Sequence, residues 1–328
     1  MKKGIGAKLV YFIVLALALY LRIVPRNIAL KTGALLSWIY WTVLRFQDKR
    51  RNITLEGMKN LYPDKSKEEL LKLLKKVCDH FGTFIVEGWR VIHLTRENLT
   101  QRVKIEGMEH LEKAFVKKKG VIFATAHFGN FELANGAFAL LGYPVWSVIR
   151  EVDNPSLDRL LDSARCVTGL HVIKKESAAK EIIKHLRAGH IITVNIDQNA
   201  GFNNIFIPFF GKLAATFTTP AVMGARTGAI ILPVMSFRDE ATDTYTIRVY
   251  PEVKQETTGD RNADIRLVMM KLTATLEDAI RQAPEQWLWI HRRWKTKPDE
   301  KDLEAIKRET KIIDDFLASQ KDMARAAN

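Results

Sequence analysis

From residue 120 onward, short apolar runs alternate along the chain with longer segments in which apolar residues recur at helical spacing. Apolar, β-branched runs bounded by turn residues are typical of buried strands. The runs are VIFAT (121–125), VWSVI (145–149), HVI (171–173), IITVNID (191–197), AIILPVMSF (229–237) and YTIRVY (245–250). Helical spacing occurs between them at residues 154–169 and 176–189. This alternation predicts an α/β fold, with a mainly parallel central sheet flanked by helices.

The chain before and after this region has mostly helical periodicity. Residues 46–120 place apolar side chains at helical spacing, and Asp64 or Ser66 could cap a long helix there. We therefore predict a mostly helical region ahead of the sheet. Residues 299–328 are rich in charge and in helix-forming residues, which predicts a charged helical tail.

The amino terminus carries the longest uninterrupted apolar run. A basic start, MKKGIGAK, precedes thirteen apolar residues at positions 9–21. No small-x-small cleavage site follows, and a second apolar stretch comes at residues 33–44, so a cleaved signal peptide is disfavoured. We predict an uncleaved membrane anchor over residues 1–28 and a main domain over residues 29–298.

The way in which the anchor meets a membrane stays open at this point. Thirteen helical residues cover about 20 Å, whereas the hydrocarbon core is about 30 Å thick. Extension to Val24, with Lys8 and Arg22 reaching toward head groups, lengthens the helix, but an in-plane helix and a buried soluble helix are alternatives. If it spans, the positive charges that follow place the main domain in the cytoplasm. These are Arg22, Arg26, Lys31, Arg45, Lys49, Arg50 and Arg51.

The net charge indicates anionic partners. Lys and Arg number 51 against 37 Asp and Glu, which gives +14 at pH 7. Nucleic acid, an acidic lipid surface, a phosphorylated substrate and an acidic protein all fit this surplus. Nucleic acid is the least favoured, because the sequence has no stacking motif, zinc pattern or helix-turn-helix signal.

Several chemistries are disfavoured by the motifs that the sequence lacks. The two cysteines, Cys78 and Cys166, form no CxxC pair, so neither a disulfide framework nor a zinc site is predicted. No GxSxG, GxGxxG or GxxxxGK[ST] occurs, which argues against a serine hydrolase and a nucleotide cofactor. We predict no metal and no cofactor.

One segment, ATAHFGNFELANG (124–136), has the character of a catalytic strand end. His127 follows a predicted strand, Gly129 permits a tight turn, and Asn130 is a credible N-cap that puts Glu132 in the first helical turn. A carboxylate on one imidazole nitrogen would leave the other free to accept a proton from a hydroxyl. The alternative is a capped helix with an incidental histidine.

The sequence around His127 resembles the H-x4-D/E motif of glycerolipid acyltransferases. Over roughly residues 10–295 the chain is similar to the late acyltransferases of lipid A biosynthesis, the lauroyl and myristoyl transferase family. The stretches that carry the resemblance are RNITLEGMKNLYPDKSKEE (51–69), VIREVDNPSLDRLLDSARCVTGLHVI (148–173), NIDQNAGFNNIFIPFFGKLAATFTTPAVMGARTGAIILPV (195–234) and PEQWLWIHRRWK (284–295).

This resemblance implies a fold like that of glycerol-3-phosphate acyltransferase and a direct acyl transfer. The acyl chain would pass from an acyl-carrier-protein thioester to a hydroxyl of a lipid A precursor, without an acyl-enzyme, so Cys166 would not be needed. His127 would be the general base and Glu132 would orient it. Arg165 or Arg150 would stabilise the oxyanion, with backbone amides at the Gly129 turn as the alternative.

The resemblance also implies further site residues. Asp197 and Gln198 resemble the family's Asp-Gln pair, and Asp197 would orient the acceptor or anchor an arginine. Phe209 and Gly211 would help to shape a wall for the acyl chain, with plain core packing as the alternative for Phe209. The carboxyl-terminal tryptophans and cations would form either a membrane-facing lip that grips phosphates or a structural strand with a basic edge; they are Trp287, Trp289, Trp294, Arg292, Arg293 and Lys295. The predicted substrate-binding residues are Asn130, Arg150, Gln198, Phe209, Gly211 and Arg293.

The partners and location follow from the same reasoning. We expect acyl carrier protein, a glycolipid acceptor and an anionic membrane surface as partners. The expected location is the inner membrane of a bacterium, with the catalytic domain on the cytoplasmic side. Two rival functions stay open: the same chemistry on another glycolipid, such as mannosylated phosphatidylinositol, and a non-catalytic lipid-binding protein on this fold.

Overall fold

The computed structural model describes residues 5–174, 178–201 and 204–326 of the chain. Its helices are α1 (Ile5–Ile23), α2 (Arg26–Phe46), α3 (Asp48–Leu61), α4 (Lys67–Arg90), α5 (Leu99–Arg102), α6 (Met108–Val116), α7 (Phe131–Leu140), α8 (Pro155–Cys166), α9 (Ala178–Arg187), α10 (Thr219–Thr227), α11 (Arg261–Gln282) and α12 (Glu300–Ala326). Short 3₁₀ turns lie at Val91–His93 and Pro284–Gln286. The ends of the predicted anchor and tail, residues 1–4 and 327–328, lie outside the described residues.

The strands form one seven-stranded sheet and one hairpin. They are β1 (Val103–Glu106), β2 (Val121–Thr125), β3 (Val145–Ile149), β4 (His171–Lys174), β5 (Ile191–Asn195), β6 (Ile205–Phe209), β7 (Lys212–Thr216), β8 (Ile230–Asp239) and β9 (Thr244–Val249). The sheet has the order β1-β9-β8-β2-β5-β3-β4, and every neighbouring pair is parallel except β8 and β9. The prediction of an α/β fold with a mainly parallel sheet is confirmed.

The strands that the sequence pattern did not predict are short. Strand β1 has four residues, lies at the sheet edge, and falls in the region predicted as mostly helical. The hairpin of β6 and β7 closes through Phe210 and Gly211, where the sequence predicted an apolar wall or core packing and no strands. At the start of α4 the prediction succeeds, because Ser66 and Glu69 form a reciprocal capping box.

The register of β2 against β5 places the site. Thr125 pairs with Asn195, and the amide of Ile196 donates to the Thr125 carbonyl at 2.9 Å. Because the two strands are parallel neighbours, their carboxyl ends emerge side by side at one edge of the sheet. The residues two positions beyond this pair, His127 and Asp197, are therefore brought together.

Helices α1 and α2 pack against α4 and leave a broad apolar surface exposed. Gly33 and Gly82 allow the close approach of α2 and α4, since a Cβ on Gly82 would lie 2.3 Å from the Gly33 carbonyl oxygen. Residues Gly6–Ile23 are long and apolar enough to cross a membrane, and only 11% of that segment is buried. This exposure argues against a buried soluble helix. The most exposed large apolar side chains of the two helices are Leu9, Val10, Phe12, Ile13, Ile23, Leu35, Trp38 and Phe46.

The carboxyl-terminal helix α12 is tied to the body by a buried ion pair. Arg266 on α11 donates from Nε to Glu309 of α12 at 2.6 Å, and from Nη1 to the Phe206 carbonyl of β6 at 2.5 Å. Both charged side chains are almost fully buried, at 3% and 4% exposure. Ile313 adds an apolar contact from α12 to α11. One guanidinium thus joins the tail, α11 and the β6–β7 hairpin.

We expect Glu309→Ala to lower the free energy of unfolding by about 3–5 kcal/mol, because it leaves Arg266 buried and without its counter-charge. Urea denaturation would measure the loss. The matched control is Glu304→Ala on the exposed face of the same helix, which should change stability by no more than about 0.5 kcal/mol. Equal stabilities for the two variants would contradict a structural role for this pair.

Candidate active site

His127 and Asp197 meet where β2 and β5 end. The Nδ1 of His127 lies 2.9 Å from Oδ1 of Asp197, and the backbone amide of His127 donates to Oδ2 of the same carboxylate at 2.9 Å. The indole of Trp287 donates to Oδ2 as well, also at 2.9 Å. Asp197 is therefore held by two N–H donors on one oxygen and holds the imidazole with the other.

The charge balance of the pair favours an imidazole that can accept a proton. Burial opposes ionisation of Asp197, but the charge of His127 and three hydrogen bonds lower its pKa to about 2. Burial by itself would lower the pKa of His127, yet the charge and hydrogen bond of Asp197, with the charge of Glu132, raise it above its usual value. Asp197 thus stays ionised and stabilises the imidazolium.

The second imidazole nitrogen faces two side-chain amides. Because Nδ1–H is donated to Asp197, Nε2 keeps its lone pair and can accept a proton. Nδ2 of Asn195 lies 3.1 Å from Nε2, and Nε2 of Gln198 lies 3.3 Å from it. Gln198 was predicted here and Asn195 was missed. Only the pairing of β2 with β5 reveals Asn195, because it ends β5 beside the residue that ends β2.

The predicted contact of Glu132 with His127 is wrong. Glu132 instead accepts a hydrogen bond from Nε of Arg165 on α8 at 2.9 Å, and Nη1 of Arg165 lies 3.6 Å from Asp162. Asn130 caps α7 as predicted, through the amide of Leu133, and this leaves Glu132 in the first turn facing α8 rather than the strand end. The charge of Glu132 still contributes to the raised pKa of His127.

The turn after His127 is fixed by Gly129. Its φ is +57°, and a Cβ would lie 1.5 Å from the Ser236 carbonyl oxygen, so the position requires glycine. The Gly129 amide donates to the Gln286 carbonyl at 2.9 Å, and its carbonyl lies 3.2 Å from Nε2 of the buried His80. The tight turn is confirmed, but the Gly129 amide is already paired and is not a free oxyanion donor.

The carboxyl-terminal segment packs against this turn, and the predicted membrane lip is wrong for three of its six members, Trp287, Trp289 and Arg293. Trp287 and Trp289 are 1% and 2% exposed, and the amide of Leu288 donates to the His127 carbonyl at 3.1 Å. Arg293 is 1% exposed and donates to the Ala215 carbonyl and to the Thr216 hydroxyl. Arg293 therefore holds β7 and is not available to a substrate phosphate.

Two adjoining apolar cavities open beside His127. The first, of about 470 Å³, is lined by His127, Phe81, Phe131 and Leu288, among others. The second, of about 660 Å³, shares Phe84 with the first and continues between α4 and α8 past Trp89, Leu161 and the Glu132–Arg165 pair. Together the two cavities make up an apolar path along α4, and His127 lines the first of them.

The other four predicted substrate-binding residues do not line the two apolar cavities. Phe209 is fully buried against Trp287 and Trp294, and Gly211 closes the hairpin turn with φ +72°. Asn130 is fully buried as a helix cap. Arg150 is exposed and lines neither apolar cavity. The first three are corrected to structural residues, because packing, a left-handed backbone and a cap already account for them.

The comparison with known families identifies the class of reaction that the chain catalyses. A sequence profile described as bacterial lipid A biosynthesis acyltransferase matches residues 5–296. The chain belongs to this family. It is therefore an acyltransferase, and family membership implies a glycolipid acceptor.

Individual relatives of this acyltransferase act on two kinds of glycolipid, as their names state. It is 27% identical over 258 residues to the lipid A biosynthesis lauroyltransferase of Escherichia coli, covering 78% of this chain and 82% of that protein. The palmitoleoyltransferase of the same organism is 26% identical, over 77% of this chain and 81% of its own length. A phosphatidylinositol mannoside acyltransferase of Mycolicibacterium smegmatis is 22% identical, over 68% and 72%.

The cysteines of this acyltransferase are poorly suited to act as nucleophiles. Cys78 is buried, and burial raises the pKa of its thiol to about 12. Cys166 is exposed at the end of α8, and its pKa is raised by partial burial and by Asp162. Neither thiol lines the cavities beside His127. Within the described ranges, no group of three or more His, Cys, Asp or Glu side chains could hold a metal ion.

Proposed function

We propose that this acyltransferase moves a fatty acyl chain from the thioester of acyl carrier protein to a hydroxyl of a lipid A precursor. The observation that carries the proposal is that Asp197 holds Nδ1 of His127 while the same imidazole lines an apolar cavity. A buried carboxylate, an imidazole and an adjoining apolar path are the parts that a direct transfer to a lipid hydroxyl requires.

The reaction would run in two proton transfers without a covalent intermediate on the protein. The acceptor hydroxyl gives its proton to Nε2 of His127 as its oxygen attacks the thioester carbonyl. The tetrahedral intermediate then collapses with cleavage of the carbon–sulfur bond, and the imidazolium returns the proton to the departing thiolate. Asp197 supports the imidazolium between these steps, and Glu132 adds a weaker, more distant charge.

The oxyanion of that intermediate would be stabilised by side-chain amides. Asn195 and Gln198 direct their amide nitrogens toward Nε2 of His127, so an acyl carbonyl attacked at that point lies within their reach. Arg165, the candidate from sequence, is committed to Glu132 and Asp162 and is a weaker candidate for this role. It would instead hold Glu132 beside the apolar path.

We expect Asn195→Ala to lower kcat by about 10²-fold, with KM for the thioester changed less than about threefold, because the lost donor would stabilise a negative charge that develops only in the transition state. Gln198→Ala is the parallel variant for the second amide. Steady-state kinetics with a hydroxyl-bearing glycolipid would separate kcat from KM. A rise in KM with an unchanged kcat in both variants would assign these amides to binding and reject the oxyanion role.

The acceptor and the acyl chain would reach the site from a bilayer. The exposed apolar side chains of α1 and α2 belong to the helices that pack on α4, and α4 also lines the apolar path. We infer a bacterial inner membrane with the catalytic domain on its cytoplasmic side, because the positive charges after α1 favour that side. The +14 net charge suits an acidic carrier protein and anionic lipid.

A test of this function needs the purified full chain and defined substrates. Acyl-carrier-protein thioester is incubated with a lipid A precursor, and mass spectrometry follows the gain of one acyl chain. A phosphatidylinositol mannoside is the parallel acceptor, since one relative is named for it. Transfer only to the mannoside would replace the acceptor in this proposal. Binding of both lipids without any acyl transfer would favour the alternative function, a non-catalytic lipid-binding protein.

A further inference from the structure

A third cavity beside the site differs in character from the two apolar ones. It measures about 850 Å³ and opens between the start of α3 and the loops that follow β5 and Trp289. The described residues that line it are Arg50, Ile53, Asn199, Ile290, His291, Arg292 and Lys295. Three of these are permanently cationic and none is acidic.

The cations of this basic cavity have no acidic partners among the residues that the structure describes. In the part of the chain that the structure describes, no carboxylate lies within 4.0 Å of the side-chain nitrogens of Arg50, Arg292 or Lys295. Arg293, in the same segment, is instead engaged with two carbonyls and a hydroxyl. Like charges gathered around one cavity repel each other, and a bound anion would relieve that repulsion.

The polar side chains that line the basic cavity differ in how they are engaged. Nδ1 of His291 is buried and has no hydrogen-bond partner. The side chain of Asn199 has two partners on Thr296: its amide nitrogen donates to the Thr296 hydroxyl, and its oxygen accepts from the Thr296 backbone amide. Buried polar atoms in proteins are seldom left without a partner. The buried Nδ1 of His291 is not part of the cavity wall, and a phosphate in the cavity would instead accept charge-assisted hydrogen bonds from the two arginines.

The basic cavity adjoins the catalytic pair. Asn199 follows Gln198, whose amide is 3.3 Å from Nε2 of His127. His291 lies close enough for the charges of Asp197 and His127 to alter its pKa. When one group of a ligand occupies the basic cavity, the adjacent groups of that ligand therefore lie within reach of His127.

The cavity also lies next to the apolar surface of α2. Arg50 comes four residues after Phe46, which is 84% exposed at the end of α2. A cation just beyond an exposed apolar face is the arrangement that meets lipid head groups at a bilayer surface.

We propose that this cavity binds a phosphate group of the glycolipid acceptor and thereby sets which hydroxyl reaches His127. The inference rests on the proposed function and adds the recognition of the acceptor to it. The phosphodiester of the carrier protein's prosthetic group has the same chemistry. The acceptor is favoured because Arg50 adjoins the exposed face of α2, where a lipid head group would lie.

The test uses three variants: Arg292→Gln, Lys295→Gln and the double variant that combines these two changes. The control is Lys297→Gln, because Lys297 is an exposed lysine of the same segment that does not line the cavity. The acceptor is a glycolipid bearing a phosphate monoester, used intact and after phosphatase treatment. We expect the double variant to raise KM for the intact lipid at least tenfold, with kcat and the KM for acyl carrier protein within threefold of the parent. The Lys297→Gln variant should match the parent.

The remaining outcomes each decide the matter. Equal losses with the intact and the phosphatase-treated lipid would overturn phosphate recognition. A raised KM for acyl carrier protein alone would assign the cavity to the donor and overturn the acceptor proposal. Equilibrium binding of both lipids to the full chain is measured in parallel. If transfer fails in the parent protein but the phosphate-dependent binding persists and is lost in the double variant, the proposed function fails while the phosphate site stands.

Discussion

Replacement of His127 by alanine should lower kcat for acyl transfer by about 10²–10⁴-fold, the range that a positioned general base contributes. The protein should stay folded, because the His127 side chain is 20% exposed and Asp197 keeps its bonds to the backbone amide and to Trp287. The loss should appear in single-turnover measurements with saturating acceptor, which report the chemical step.

The control for this variant is His110→Ala, a histidine on α6 that lines none of the cavities beside the site. It should retain parental activity. In the parent, kcat/KM should rise with pH as the imidazolium loses its proton, with a midpoint above the usual histidine value because Asp197 raises the pKa of His127. Retained transfer in folded His127→Ala protein would end the general-base mechanism.

Replacement of Asp197 by asparagine should lower kcat by about 10³–10⁴-fold although the side chain keeps its size. The amide oxygen of Asn must remain with the two N–H donors of His127 and Trp287, which leaves the NH₂ group facing Nδ1. Nδ1 then becomes an acceptor, the proton moves to Nε2, and the nitrogen that faces the substrate can no longer accept one.

The pH profile separates this effect from a loss of stability. Without the negative charge, the pKa of His127 should fall, so the acid limb of kcat/KM should move to lower pH. Glu132→Gln is the matched variant, since it removes a carboxylate that contributes only a distant charge and a bond to Arg165. We expect a smaller loss of kcat from it. A larger loss from Glu132→Gln than from Asp197→Asn would reverse the assigned roles of the two carboxylates.

Much of the sheet was predictable because its strands are buried on both faces. The five residues of β2 are all buried, and four of the five in β5 are, so each appears as an uninterrupted apolar run. Strand β1 was missed because its four residues alternate at an edge and are too few to establish a period. The hairpin of β6 and β7 was missed because its aromatic residues also fit simple core packing.

The site was predictable in its members but not in its pairings. His127 and Asp197 could be found at strand ends, and Asn130 from its cap position. That Asp197 rather than Glu132 holds the imidazole depends on β2 and β5 being neighbours in register, and strand order is not encoded in local periodicity. Arg293 was misassigned because a buried arginine that binds carbonyls has the same sequence signature as one that binds phosphate.

The hydrogen bond from the Trp287 indole to Asp197 also affects the order in which the parts of the site can form during synthesis. During synthesis the chain emerges amino end first, so α1 is complete long before Trp287 leaves the ribosome. The apolar helix α1 is thus available for contact with a bilayer before the Asp197 carboxylate has its donor from Trp287. At that stage the amide of Gly129 also lacks its acceptor, the Gln286 carbonyl. An amino-terminal fragment that ends before Trp287 would therefore keep α1 but lack the indole donor to Asp197.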